Sequence, residues 1–543
     1  MLTAMVRGMA VTVAMAEKNS ALPLRPRGIS SDRILQWQVV FALPVLLGSL
    51  QSVAWAQNAG SRSWQFVPSL SVSETFSDNV SLAAAGQERS EWTTRIRPAV
   101  QFIENGPRLK FNGTYSPDLL YRASQGTADV SHFLNAFGTA ELVQRLFYFD
   151  ARASIAQQNT SLLAPLADGN LNTTNNRTNV NIYSLSPYLR HAFGYDATGE
   201  LRFTHDSLTY GGSTGGASAS ISDRINAQLT SGPAFQLLTW DIAYSQARVE
   251  YTQTGQRVDP VSASATAGRL ITPDIRLNAS VGYEDSGYPT TNGRTVKGNF
   301  WNLGPTWTPT PRTKISATIG HKYYGTSKSF NLGHRTSLTS WDVNYNESVT
   351  TTRGSLSLPV TQDTAAVLDN IFRAQESDPV KRKVLVDNYI AANRLSATLS
   401  QPLNFLTDSL FLEKRWQGTV GFQGIRNTVL SSLYTSNRQA LSTGVITTAG
   451  DFSTSQNIKQ TGGSVTWISR VTATLAPSLG IGFSRGEFAS STNRQNFVRL
   501  NVTEQLSPRV NAGLSLGRSK STSSTGGGSF TEHSITATLG LRY

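Results

Sequence analysis

A chain of 543 residues with only 15% charged and 39% hydrophobic residues, at a mean hydropathy of −0.24, is too poor in charge for an ordinary soluble domain. After residue 50 it has no apolar run long enough for a helical span, which excludes a helical membrane protein. It has no cysteine, which removes disulfides, thiolate metal sites and Cys nucleophiles; its net charge of +13 comes without a basic run, so nucleic acid is not an expected partner.

In chain order, the first expected element is an export signal. Residues 34–50, ILQWQVVFALPVLLGSL, follow Arg25, Arg27 and Arg33 and precede Ala54-Trp55-Ala56, a small-x-small cleavage pattern. This predicts a signal peptide over residues 1–56, cut after Ala56, and a mature part over 57–543. In that mature part Ser, Thr, Asn, Gln and Gly take the place of charge, which suits a wet inner face and a thin apolar outer one. Without apolar helices, such a chain crosses a bilayer only as a closed barrel, because every backbone group must be paired internally.

Strand-period alternation supports this. Ile275, Leu277, Ala279, Val281 and Tyr283 alternate with Arg276, Asn278, Ser280, Gly282 and Glu284. The pattern returns at Leu475, Leu479, Ile481 and Phe483, and again at Val510, Ala512, Leu514 and Leu516. Tight turns are expected at Asn105-Gly106-Pro107, Ser231-Gly232-Pro233, Thr272-Pro273-Asp274, Thr308 to Pro311 and Ser507-Pro508, all read as periplasmic. Long polar stretches at 211–216, 428–455 and 519–529 read as outer loops.

Residues 361–392 break the pattern. Ala366, Leu368, Ile371, Phe372, Val384, Leu385 and Tyr389 recur at helical spacing. The alternating segments first number 21, an odd count that would leave the two ends on opposite sides of the membrane. Setting aside 395–402 gives an all-β, transmembrane antiparallel β-barrel of about 20 strands. Residues 355–407 then form a partly helical insertion entered from the periplasmic side, either hanging below the barrel or folding up into its lumen. The chain ends on a clean strand, with Ile535, Ala537, Leu539, Leu541 and Tyr543 on one face. Leu539, Leu541 and the final Tyr543 form the expected signal for barrel-insertion machinery.

Aromatic residues invite a sugar-stacking reading, but Trp64, Trp92, Trp240, Trp301, Trp307 and Trp341 sit near strand ends, where a barrel places its aromatic girdle. The six histidines, His132, His191, His205, His321, His334 and His533, lack metal-ligand spacing, and no nucleophile with an oriented base can be assembled around any of them. Neither an enzyme nor a cofactor is expected. The positive charge favours lipopolysaccharide or an anionic polymer by steering.

Two stretches are more specific: WQFVPSLSVSETFSDNVSL over 64–82, and the segment from Trp301 to Arg353. The first ends its Pro68 to Asn79 portion in Asp78-Asn79; the second carries the Trp307-x-Pro309 turn, the Tyr324-Gly325-Thr326 hairpin, and Trp341 with Tyr345 before Thr350 to Arg353. Phe372, Asp378-Pro379-Val380 and Asn404-Phe405-Leu406-Thr407 follow in order. Together these resemble the PEP-CTERM system-associated outer membrane proteins, which are found beside exosortase and exopolysaccharide genes. The resemblance covers most of the mature chain and implies a place in the bacterial outer membrane, as a channel or export component for exopolysaccharide or another surface polymer. Outer-membrane lipid, exopolysaccharide and periplasmic export proteins are the partners it implies; no catalytic residue comes with it. The other reading is a structural or adhesive surface protein with a sealed lumen. In physical terms Asp78 and Asn79 suit a turn, and Gly325 permits a tight one.

Overall fold

The computed structural model describes residues 64–542 apart from 168–169, 213–216, 289–295, 358–367, 370–371, 373–381, 383–385, 387–404, 443–450 and 525–527. The expected signal peptide, the strand candidate 395–402 and Tyr543 lie outside the described residues. No described helix is long and apolar enough to cross a membrane.

The chain runs through β1 (Trp64–Ser77), β2 (Glu91–Asn105), β3 (Leu109–Arg122), β4 (Thr127–Val143), β5 (Phe147–Asn159), β6 (Arg177–Phe193), β7 (Ala197–Tyr210) and β8 (Ser220–Ser231). Then come β9 (Leu238–Tyr251), β10 (Gln256–Val258), β11 (Val261–Thr272), β12 (Ile275–Asp285), β13 (Lys297–Thr310), β14 (Thr313–Lys322), β15 (Gly325–Arg335) and β16 (Thr339–Thr350). A one-turn helix, α1 (Thr352–Ser357), precedes β17 (Phe411–Gln423) and β18 (Asn427–Ala440). The short helix α2 (Asp451–Thr454) leads to β19 (Asn457–Ser469), β20 (Leu475–Glu487), β21 (Thr492–Ser507), β22 (Val510–Ser523) and β23 (Phe530–Arg542).

Apart from the short β10, every strand pairs antiparallel with the next full strand in the chain, and β1 also pairs with β23, from Ser69↔Arg542 to Ser77↔Ser534, so the sheet has no free edge. β10 is a three-residue continuation of the β9 hairpin. The remaining 22 strands close the wall, two more than the expected 20. The even count still leaves both strand ends, Trp64 and Arg542, at one rim. One missed strand is β18, which covers the first 13 residues of the stretch assigned to a loop at 428–455; the true connection is 441–456. The last loop is likewise shorter than expected, because β22 runs on to Ser523.

The alternation has the physical meaning that barrel geometry gives it. Val72, Leu539, Leu514, Ile481 and Phe483 point outward and are exposed, while Ser71, Ser73, Thr75, Thr536 and Thr538 line the inside. The six girdle tryptophans share the outward register, and five of them are exposed by 43–52%. A belt of exposed Leu, Ile, Val, Phe and Trp around a closed sheet has hydrocarbon as its solvent: the chain is a membrane-spanning β-barrel.

The two rims differ. At one, all connections have two to six residues, and they include each of the five expected tight turns. At the other lie 78–90, 160–176, 211–219, 286–296, 441–456 and the 60-residue connection 351–410. Residues 355–407 therefore spring from the long-connection rim, opposite the short turns and the strand ends Trp64 and Arg542 with which the expectation grouped them. The reason is parity: 15 full strands precede this segment and seven follow it, one more on each side than a count of 20 allowed.

Candidate functional site

Two of the long connections turn inward and meet inside the lumen. The first, 160–176, is bracketed by Asn176. Its side chain accepts from Thr160 Oγ1 (2.8 Å) and the Ser161 amide (2.9 Å) and donates to the Ser161 carbonyl (2.8 Å). From there it reaches strands far around the wall. Asn170 donates to Asp118 on β3 (3.0 Å) and Asn172 to Glu532 on β23 (2.7 Å). From β21, Asn493 and Gln495 donate to the carbonyls of Leu162 (3.2 Å) and Leu166 (2.9 Å). Asp451 of α2 accepts from the Leu162 amide (2.7 Å) and from Ser161 Oγ (2.5 Å).

The second connection, 351–410, is closed at its neck. Thr352 Oγ1 donates to the Phe405 carbonyl (3.0 Å) and accepts from the Thr407 amide (3.3 Å). Both sides of that neck are tied to the opposite wall just before and at the start of β8: Arg353 donates to the Ser220 carbonyl (3.1 Å), and Asp408 accepts from the Ser218 amide (2.9 Å) and hydroxyl (2.6 Å). Leu356 packs on Val180, Ile182 and Leu208 of the inner face of β6 and β7. Burial pushes the Asp408 carboxyl up to about 6, against the bonds from Ser218 that favour its charged form. Burial raises Asp451 as well.

The two connections also hold each other. Leu406 donates its amide to the Thr160 carbonyl (3.3 Å), and Phe405 packs with Leu162 and Ile458 in a cluster bordered by Phe452 and Phe488. Arg438 of β18 lies over the Phe405 ring at 5.5 Å while bridging to Glu413 (2.9 Å). Within 355–407, Leu368, Phe372 and Val386 are buried, and Arg382 pairs with Asp369 at 2.6 Å. The rest of the expected helical stripe lies outside the described residues.

Below these connections is a cavity of about 1210 Å³ enclosed by β1–β4 and β20–β23. It runs from the short turns at Arg470–Thr474 and Pro508–Arg509 up to a ceiling of Val80, Leu171, Asn172 and Phe372. Ser and Thr are the commonest residues of its wall, with Arg95, Arg97 and Arg499 on the strands and Arg470, Arg509 and Arg542 near the rim. Glu532 is the only carboxylate-bearing residue among the described lining residues. Arg95 is paired to Asp118 through two bonds of 2.6 Å, and Arg97 donates to Ser116 (2.7 Å).

The residues singled out from sequence fall elsewhere. Leu539 faces lipid, and Leu541 shares its register. Asp78 and Asn79 fasten the β1–β23 seam: Asp78 accepts from the His533 amide and meets its ring nitrogen, both at 2.7 Å, and Asn79 donates to the carbonyls of Thr531 (3.0 Å) and Ala83 (2.8 Å). Gly325, at φ +117°, follows the two-residue turn from β14 to β15. His205 bonds Asp223 on the outer face at 2.7 Å, rather than its chain neighbour Asp206. Among the described residues no cluster of His, Asp and Glu could hold a metal. The anchors Asp408, Asp451 and Asn176 were not singled out from sequence, and Arg353 stood only at the end of the Thr350 to Arg353 motif, since each acquires its role from a partner that is remote in the chain.

No family model matches the chain, and no curated protein matches it either. Among solved structures, it aligns with the siderophore receptor PirA from Acinetobacter baumannii at 8% identity and a TM-score of 0.47, covering 89% of this chain and 81% of that one. PirA from Pseudomonas aeruginosa aligns at 7% identity and a TM-score of 0.44, over 89% and 82%. OccK8 (OprE) from Pseudomonas aeruginosa aligns at 10% identity and a TM-score of 0.28, over 89% and 100%.

Proposed function

We propose that this barrel is a gated export channel in a bacterial outer membrane, serving the secretion of an acidic surface polymer such as an exopolysaccharide. The single observation that carries the reading is the vestibule: a wide, hydroxyl-lined and arginine-bearing cavity that reaches the short-turn rim and stops beneath the inward connections. Hydroxyls exchange hydrogen bonds with passing sugars or water at little cost, and the arginine excess concentrates anions in a confined, partly desolvated space. In this reading the short turns face the periplasm, the long connections face outward, and residues 351–410 are the gate. The resemblance to the PEP-CTERM-associated outer membrane proteins supports the polymer pathway. A second reading, a sealed surface protein, draws on one observation of its own: both inward connections are tied to walls remote from their origin, so the lumen is crossed twice.

Planar-bilayer recordings separate the two. Removing residues 358–404 should convert a protein of low conductance into an open pore, while the barrel stays heat-resistant on gels. In that open variant, Arg97→Glu together with Arg499→Glu should move the reversal potential in a salt gradient toward cation selectivity. A deletion variant that stays as tight as the intact protein would establish the sealed reading.

A further inference from the structure

On the outward face just below the long-connection rim, β19–β22 carry a cluster of basic residues. There the register sets Lys459, Arg485, Arg494 and Lys520 on the lipid side, each exposed, and each flanked along its strand by lumen-facing residues such as Gln460, Gln495 and Ser521. Arg518 follows two residues below Lys520. Arg485 and Arg494 are direct cross-strand partners, a like-charge pairing that destabilises a sheet on its own. Glu487 is the local counter-charge, 3.0 Å from Arg485 and 3.7 Å from Lys459; the nearby His533 is bonded to Asp78. Arg494, Arg518 and Lys520 form no ion pair with any described residue.

The depth of this cluster is set by what lies beneath it. Ile481, Phe483, Val498, Leu500, Leu514 and Leu516, outward positions on the same strands nearer mid-barrel, are 42–48% exposed and belong to the lipid belt. The cations thus stand where hydrocarbon ends and headgroups begin. The far side of the same rim differs: His205–Asp223, Arg248–Asp259 and Arg257–Asp259 balance their charges among themselves. Four neighbouring strands spread the basic cluster over roughly 15 Å, from the strand spacing. One phosphate cannot neutralise so wide a patch, whereas a headgroup carrying more than one can bridge it.

We infer that Lys459, Arg485, Arg494 and Lys520 form a lipid-facing site for a multiply phosphorylated glycolipid headgroup, that of the lipopolysaccharide in the outer leaflet. The inference rests on the outer-membrane orientation proposed above, with the long connections outward, but not on the barrel conducting anything.

The test uses the full mature barrel in detergent, with lipopolysaccharide, phosphatase-treated lipopolysaccharide and phosphatidylglycerol as probes. Lipopolysaccharide should raise the melting temperature and remain bound in native mass spectra, and the phosphatase-treated form should do neither. The triple variant Arg485→Gln, Arg494→Gln, Lys520→Gln should lose both effects, whereas Arg248→Gln with Arg257→Gln, on the balanced side, should keep them. If the triple variant folds poorly, Arg494→Gln alone should lower retention by several-fold. Equal stabilisation by phosphatidylglycerol, or undiminished binding by the variants of the basic cluster, would overturn the assignment. Because the readout is binding, a barrel that never conducts leaves the inference standing, and a conducting barrel that ignores lipopolysaccharide refutes it alone.

Discussion

The inner faces of β17–β19 and of β21–β23 are produced by the same strand alternation, yet they carry different side chains. On the first, Phe411, Leu430, Tyr434, Ile458 and Ile468 point inward and are all but completely buried. On the second, the inward positions are Asn501, Thr503, Ser534, Thr536 and Thr538. The first face meets folded polypeptide, the Phe405 cluster among it; the second borders the vestibule. The composition of a barrel's inner face therefore reports whether that part of the lumen holds chain or water.

This contrast is open to measurement. The largest effect is expected where polypeptide fills the lumen. Phe405→Ala should remove about 3–5 kcal/mol of docking energy, the usual range for emptying a buried aromatic site. The chain has no native cysteine, so Leu406→Cys supplies a clean probe: thiol labelling should be slow in the parent and fast beside Phe405→Ala. Labelling that does not change would mean that the cluster does not hold the connections in place.

A smaller effect is expected at the wall itself. Leu539→Arg puts a charge on the lipid side at a cost of about 2 kcal/mol, less than at mid-membrane because the strand ends three residues later. Its neighbour Thr538 faces the vestibule, so Thr538→Arg should be nearly neutral. Urea titrations in lipid bilayers compare the two, and equal midpoints would contradict the assignment of faces.

The smallest concerns Asp408. A carboxyl whose folded value is raised to about 6 favours the docked state most when it is protonated. Docking should therefore weaken as pH rises from about 4 to 6 and level off above that. Asp408→Asn keeps an acceptor for Ser218 without the charge, so it should flatten this dependence with no more than about 1 kcal/mol of change at pH 7. Labelling of the Leu406→Cys probe at pH 5 and at pH 7.5 reads the difference; a pH-independent parent would remove Asp408 from this role.

Legibility from sequence followed the same contrast. Along the vestibule alternation is clean, and β20, β22 and β23 are readable from their apolar positions alone. Where chain fills the lumen, apolar residues occupy both faces: Leu430 and Tyr434 point inward while Leu433 points out, so β18 loses its period and reads as a loop. That omission, together with one other before residue 351, reversed the inferred side of the large connection. Leu368 and Phe372, chosen for their helical spacing, are indeed buried. Anchors such as Asp408 and Asn176 had no local signature, because a single carboxylate or amide acquires meaning only from the backbone it meets.

The pairing of β1 with β23 imposes an order on biogenesis. Thr75 and Thr536, 2.9 Å apart across the seam, are separated by 461 residues, so β1, already paired with β2, waits for β23 before its other edge is covered. Until then the chain presents two open edges, each a template for misplaced strands from other molecules, and the entropy of closing so long a loop delays the remedy. A molecule built this way depends on being escorted as an unfolded polypeptide. Truncation from the C-terminus therefore yields no smaller barrel, only a sheet with an adhesive margin.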